Sequence, residues 1–142
     1  MKQSLIPALA ALLFAGCATI RSTDIYHGIH VENGATPLAT IEVENSGWEL
    51  FKCLPLASGN PNFPNKNTCR WFTNTVTLQN NIEMLDREMK TRGATRFANL
   101  TSRNTEETFL FILLTRRAYH TSAVLLKDGP APKAATSEKS TK

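Results

Sequence analysis

An amphipathic helix pattern between two groups of strand patterns is the feature that most constrains how this chain folds. Its apolar residues recur at spacings of four, three and four, which gives the single stripe by which a helix packs on a sheet: Leu78, Ile82, Leu85 and Met89. Thr75 or Thr77 can cap the start of the helix, because a threonine hydroxyl accepts from the free amides of the first turn. Gly93 marks its end, since glycine adopts the left-handed conformation that closes a helix.

Two strand patterns precede the helix. Residues 37–44 alternate between apolar and polar side chains, and residues 48–54 alternate again. Asn45, Ser46 and Gly47 lie between them and are typical turn residues, so the sequence predicts a hairpin. We expect Trp48 and Phe51 to fill the core rather than form a binding surface, because aromatic side chains supply much of the apolar area of protein cores.

Three strand patterns follow the helix, over residues 94–102, 108–115 and 119–126, with a polar turn over residues 103–106. The consecutive apolar residues 109–114 are typical of a central strand buried on both faces, which would be the partner of the helix stripe. The predicted order is therefore β-β-α-β-β-β. It indicates an α+β fold, in which one amphipathic helix packs on a mainly antiparallel sheet of about five strands.

The N-terminus carries the pattern of a secretion signal. Lys2 supplies a positive start, and the apolar run of residues 5–14 is far shorter than the roughly 20 residues that span a bilayer. The end of this run resembles a bacterial lipobox, the cleavage site of the lipoprotein signal peptidase: Phe14, Ala15, Gly16 and Cys17. The sequence therefore predicts a lipoprotein signal peptide over residues 1–16. The alternative is an ordinary secretory signal that leaves Cys17 as a spare thiol.

Lipidation of Cys17 would fix the protein to the cell envelope, because several acyl chains together give stable anchoring where one chain does not. Ala18 follows the cysteine, and lipoproteins without aspartate at that position usually go to the outer membrane of a Gram-negative cell. We therefore expect a lipid-anchored protein on the periplasmic face of the outer membrane. Residues 17–36 would be the lipidated N-terminus and a tether, residues 37–127 the α+β domain, and residues 128–142 a disordered tail.

The cysteine count agrees with an oxidising compartment. The chain has 3 cysteines, and lipidation of Cys17 leaves Cys53 and Cys69 as an even pair. A disulfide between them would close a loop of about 17 residues and stabilise the fold by roughly 3 kcal/mol. The alternative is two buried thiols. A zinc site is not indicated, because no second cysteine pair or nearby histidine completes the spacing.

No motif in the sequence indicates catalysis. A Gly-x-Ser-x-Gly elbow, a phosphate-binding glycine loop and a His-Glu-x-x-His motif are all absent, so we expect no enzyme, no catalytic residues and no cofactor. The net charge of +4 is spread along the chain, which argues against nucleic-acid binding. Gly28 disfavours a helix that would bring His27 and His30 together, so no metal site is predicted.

Two classes of function stay open. The first is an envelope lipoprotein with a non-catalytic interaction or scaffold domain, whose partners are the membrane and an envelope protein. The alternative is a periplasmic sensor or small-ligand or metal-binding module that would use His27, His30 or His120. An exposed apolar or cationic patch would favour the first class, and a concave pocket with convergent polar groups would favour the second.

The layout of the chain resembles that of the TRL-like small bacterial lipoproteins. The shared features are a strand leading into a Gly- and Pro-containing loop, a helix ending in Arg92-Gly93-Ala94, and two final strands after a strand with a recognisable sequence, Ala98-Asn99-Leu100-Thr101-Ser102. More distantly, the layout is similar to the YbjQ-like α+β fold. The resemblance covers residues 40–126. It implies the fold and the envelope location, and it implies no activity and no site residue.

Overall fold

A computed structural model describes residues 17–23, 35–109 and 113–129 of the chain. Within these residues the structure contains six strands and one helix: β1 (Ala18–Thr23), β2 (Thr36–Leu50), β3 (Leu54–Gly59), β4 (Cys69–Trp71), α1 (Leu78–Thr91), β5 (Arg96–Phe109) and β6 (Leu114–Lys127). The predicted signal peptide, His27, His30 and the predicted tail beyond residue 129 lie outside the described residues.

The six strands form one antiparallel sheet in the order β4-β3-β2-β6-β5, and β1 pairs with β2. One edge of β2 pairs with β6 along its whole length, whereas β1 and β3 share the other edge, along 40–45 and 47–50 respectively. The predicted α+β class, with one helix on a mainly antiparallel sheet, is confirmed. The predicted order β-β-α-β-β-β is wrong, because four strands precede the helix and two follow it.

β1 occupies the first part of the predicted tether. Ala18 pairs with Asn45 and Thr23 pairs with Thr40. Ala18 is 2% exposed and belongs to the core. The prediction of little regular structure from Arg21 onward is therefore wrong for Arg21–Thr23, because these residues pair with β2, which is distant in the sequence and invisible to local composition.

β2 continues through the predicted turn. Asn45, Ser46 and Gly47 are buried and pair with β6. A Cβ on Gly47 would lie 2.8 Å from Cγ2 of Val76, so glycine allows close packing here instead of forming a turn. The hairpin turn comes later, where Phe51 and Lys52 adopt left-handed φ angles of 53° and 58°.

β5 and β6 replace the three strands predicted after the helix. β5 runs through the predicted turn at 103–106, and β6 begins well before the strand predicted at 119. The described ends of the apolar run 109–114 do not form the predicted central strand, because Phe109 ends β5 and pairs with Leu114 at the start of β6; residues 110–112 lie outside the described residues. The strands at the centre of the sheet are β2 and β6.

The ends of α1 agree with the sequence. At the start, Oγ1 of Thr77 accepts a hydrogen bond from the amide of Asn80 at 3.2 Å. At the end, the amide of Gly93 donates to the carbonyl oxygen of Lys90, and the amide of Ala94 donates to that of Met89. Gly93 has a φ of 66°. These features make up a Schellman cap, in which a left-handed residue lets the chain satisfy the last helix carbonyls.

The buried face of α1 is rotated from the predicted stripe. Asn81, Met84 and Leu85 are fully buried, whereas Leu78 is 40% exposed. The core between α1 and the sheet consists of buried apolar residues from four elements: Ala18, Ala39, Ile41, Val43, Met84, Leu85, Ala123 and Leu125. Among the residues that the structure describes, no helix has the length and hydrophobicity to cross a membrane.

Asn81 explains the rotation. Its side-chain amide donates to the carbonyl oxygen of Tyr119 at 2.8 Å and to Oγ1 of Thr121 at 3.1 Å, both on β6. A buried polar side chain is tolerated only where such partners exist. A pattern of apolar residues alone cannot find this position, because the partners lie in a strand about 40 residues farther along the chain.

Candidate functional site

Cys17, the predicted lipid attachment site, is held by the fold itself. Its carbonyl oxygen accepts a hydrogen bond from the amide of Ser46 at 3.0 Å, and its amide donates to Oγ of Ser46 at 3.3 Å. The next residue, Ala18, is already buried in the core. A lipid on Cys17 would therefore begin at the sheet, with no flexible segment in between.

The loop between β3 and β4 packs around this point. The amide of Asn65 donates to the carbonyl oxygen of Ala18 at 2.9 Å, and its side chain bonds both backbone groups of Ile20, at 2.9 and 3.1 Å. Gly59 comes closer still, because a Cβ there would lie 2.6 Å from the carbonyl carbon of Cys17. These contacts place Cys17 beside β3 and next to the loop that leads into β4.

The structure does not bring Cys53 and Cys69 together, so the predicted disulfide requires correction. Cys53 lies before β3, and Cys69 pairs with Gly59 at the far end of that strand. At about 3.3 Å per residue, the length of β3 separates the two cysteines by about 20 Å. A disulfide needs Cα atoms within about 7 Å, and none joins the two residues. Burial, and after it the Cys17 thiol, raises the pKa of Cys69.

Four large apolar side chains are exposed at one end of the sheet, and we call them the apolar tip: Phe51 at 56%, Leu54 at 50%, Phe109 at 43% and Leu113 at 44%. The amide of Phe51 donates to the carbonyl oxygen of Leu113 at 3.0 Å, so the two hairpin turns lie side by side. Together these side chains expose on the order of 400 Å², the size at which apolar patches on monomers are often functional.

The apolar tip corrects two predictions from the sequence. Trp48 is buried, as expected, and its ring lies 5.6 Å from that of Phe109. Phe51, in contrast, points to solvent. The signal for the tip in the sequence is the apolar run at 109–114, a pattern that is also typical of a buried strand. Long apolar runs indicate burial, and they do not distinguish burial within the chain from burial against a partner.

A balanced set of charges lies next to the tip. Lys52 pairs with Glu106 at 2.5 Å, and Arg117 lies 3.7 Å from Glu106 and 3.2 Å from Glu49. The hydrogen bond from Lys52 is the largest influence on Glu106; it outweighs the opposing effect of burial and, together with the charges of Lys52 and Arg117, lowers the pKa of that carboxyl group. Arg116 beside them also has carboxylate partners, so the cations next to the tip are paired and not free to attract an anion.

His120 lies on the face of the sheet opposite α1. Its Nδ1 atom is 3.9 Å from Oε2 of Glu44, and its Nε2 atom is 3.5 Å from Oγ1 of Thr105. A depression of about 130 Å³ lies beside it, lined in part by Glu42 and Arg103. This is smaller than the roughly 300–1,000 Å³ that small-molecule sites usually occupy. Within residues 17–23, 35–109 and 113–129, no three His, Cys, Asp or Glu side chains are grouped to hold a metal ion.

Comparisons of the chain with protein-family models, with curated proteins and with solved structures give no match. The resemblance to the TRL-like lipoproteins therefore stays a prediction from the sequence. Two places in the fold bear on function, Cys17 at the edge of the sheet and the apolar tip.

Proposed function

We propose that this protein is a bacterial envelope lipoprotein, anchored by lipidated Cys17 on the periplasmic face of the outer membrane, whose domain binds another envelope protein without catalysing a reaction. The observation that carries the proposal is the apolar tip. Exposed apolar area of this size costs free energy in water, and a protein partner recovers that free energy when it covers the surface.

The position of Cys17 is compatible with this role. β1 begins one residue after the predicted lipidation site, and the tip lies at the far end of β2 from Thr36. Cys17 contacts Ser46, five residues before Phe51, so about 16 Å of strand separates the anchor from the tip. The tip can therefore meet a partner beside the membrane while Cys17 stays anchored.

The alternative, a small-ligand or metal-binding module, has less support among the described residues. Its best candidate is the depression beside His120, which is smaller than typical ligand sites. The balanced charges around the tip also favour a protein surface, because an apolar contact with a neutral surround suits a protein interface better than a charged small molecule.

Two experiments test the proposal. Metabolic labelling with an alkynyl fatty acid should mark the native protein and fail to mark Cys17→Ala; labelling of that variant would refute the anchor. For the interaction, a photoreactive amino acid at Leu54 should cross-link one envelope protein in living cells. Phe51→Ser should remove that cross-linked product, whereas Leu100→Ser, which changes an exposed apolar side chain on β5 away from the tip and from β4, should leave it intact. Retention of the product in Phe51→Ser would refute the role of the tip.

A further inference from the structure

We propose that the edge of the sheet formed by β4 and the loop before it, residues 60–72, lies on the anionic surface of the membrane that holds Cys17. This inference rests on the proposed lipid anchor and adds a defined orientation of the domain. We call residues 60–72 the anchor edge.

The composition of the anchor edge is that of a membrane interface. Three large aromatic side chains are exposed, Phe63 at 52%, Trp71 at 47% and Phe72 at 72%. Two exposed cations, Lys66 and Arg70, lie among them. Trp and other aromatic rings favour the headgroup level of a bilayer, and Lys and Arg favour its phosphates.

Carboxylates are absent from this part of the chain. No Asp or Glu occurs between Glu49 and Glu83, so the sequence of β3, β4 and their loops carries only positive charges. The ammonium group of Lys66 lies 5.5 Å from the ring centroid of Phe63, which brings cation and aromatic ring to the same point of the surface. An anionic lipid surface matches this charge, and the apolar tip, with its balanced charges, does not share the property.

The position of Cys17 in the fold would restrict the orientation of the domain relative to the membrane. β1 pairs with β2 from Ala18 onward, so no flexible linker separates Cys17 from the sheet. Gly59 lies against the backbone of Cys17 and pairs with Cys69 at the start of β4. Neighbouring strands are about 5 Å apart. Acyl chains on Cys17 would therefore enter the bilayer within about two strand spacings, or 10 Å, of β4.

β4 is also suited to this contact as a strand. It has three residues and is the last strand on this side of the sheet. An edge strand exposes backbone groups and side chains of both faces. When the sheet stands on this edge, Trp71 and Arg70 can both reach the headgroups although they point to opposite faces of the strand.

The test uses the mature lipoprotein, residues 17–142 with the lipid on Cys17, in vesicles. Trp71 is exposed and Trp48 is buried, so the difference in emission between the native protein and Trp71→Phe isolates Trp71 without disturbing the core. In vesicles of phosphatidylethanolamine and phosphatidylglycerol that contain brominated lipid, we expect strong quenching of Trp71. In vesicles of phosphatidylcholine alone, we expect clearly weaker quenching. Emission from Trp71 that is unaffected by brominated lipid in both vesicles would overturn the proposal.

A charge variant tests the electrostatic part. Each cation near an anionic membrane favours the membrane-bound position of the edge by about 5-fold. Lys66→Gln with Arg70→Gln should therefore shift the equilibrium between bound and free edge toward the free form by about 25-fold at low salt. Arg103→Gln, which removes an exposed cation on β5 at the other side of the sheet, is the matched control and should leave the quenching unchanged. Equal quenching in the double variant and the control would overturn the proposal.

These outcomes separate the orientation from the anchor. Fatty-acid labelling at Cys17 without quenching of Trp71 overturns the orientation and leaves the lipoprotein proposal standing. Quenching of Trp71 without fatty-acid labelling refutes the anchor and supports the anchor edge as a membrane-binding surface in its own right.

Discussion

The seating of α1 is the feature on which sequence and structure disagree most sharply, and one pair of variants decides between them. Met84 is fully buried in the core, whereas Leu78, which the sequence places on the buried stripe, is 40% exposed. Truncation of a buried Met to Ala removes apolar contacts and leaves a cavity, which costs about 2–5 kcal/mol. We expect Met84→Ala to lower the free energy of unfolding by about 3 kcal/mol, because half-buried neighbours such as Met89 can relax into part of the space.

Leu78→Ala is the matched control. The side chain lies in the first turn of α1 and is open to solvent, so its truncation leaves no closed cavity. Alanine is also the best helix former, which offsets part of the lost burial. We expect a loss below about 1 kcal/mol.

Urea unfolding followed by tryptophan fluorescence measures both variants. The free energy of unfolding of a domain of this size falls by about 1.5–3 kcal/mol per M of urea. Met84→Ala should therefore lower the urea midpoint by about 1–2 M, and Leu78→Ala by a few tenths of this decrease. The dependence of the free energy of unfolding on urea concentration should not change, because both variants expose nearly the same surface when they unfold. A larger loss for Leu78→Ala than for Met84→Ala would refute this seating of the helix and restore the stripe that the sequence predicts.

Three further predictions follow from contacts of single residues. Gly59→Ala should lower the free energy of unfolding by about 1–3 kcal/mol, since the new Cβ would meet the backbone of Cys17 at 2.6 Å; an unchanged urea midpoint would contradict this packing. Thiol titration of the denatured chain should give the same count before and after reduction, whereas a gain of two thiols would show that Cys53 and Cys69 are bonded. Lys52→Gln should raise the pKa of Glu106, because it removes the hydrogen bond and charge that lower it. In the native protein the ion pair is present above the ordinary carboxyl pKa and is lost as the pH falls through the lowered pKa of Glu106. An unchanged pKa of Glu106 in a carboxyl ¹³C titration of the variant would contradict this.

Local signals in the sequence were sufficient for the helix and its ends. Thr77 and Gly93 act through hydrogen bonds within a few residues of themselves, so their roles follow from residue type and position. The fold class followed for the same reason, because one strong helix pattern among strand patterns admits few architectures.

The strand boundaries failed where the sheet, and not the local chain, decides them. Polar residues at 103–106 look like a turn, and they remain in strand because β5 is an edge strand with solvent beside it. Gly47 looks like a turn residue, and it remains in strand because Val76 packs where a side chain would be. In both cases the position of the residues in the sheet, and not their local turn propensity, decides the secondary structure.

The most consequential failure is that of the tether. A flexible segment after Cys17 would let the domain rotate and sample many orientations at the membrane. The structure replaces its first part by β1, which pairs Ala18 with Asn45 and buries it under α1. An acylated residue held in this way transfers the orientation of the bilayer to the sheet. On the proposed lipid anchor, the surface that would meet the headgroups is set by which strand lies next to Cys17, so the position of the cationic and aromatic residues of the anchor edge matters more than their number.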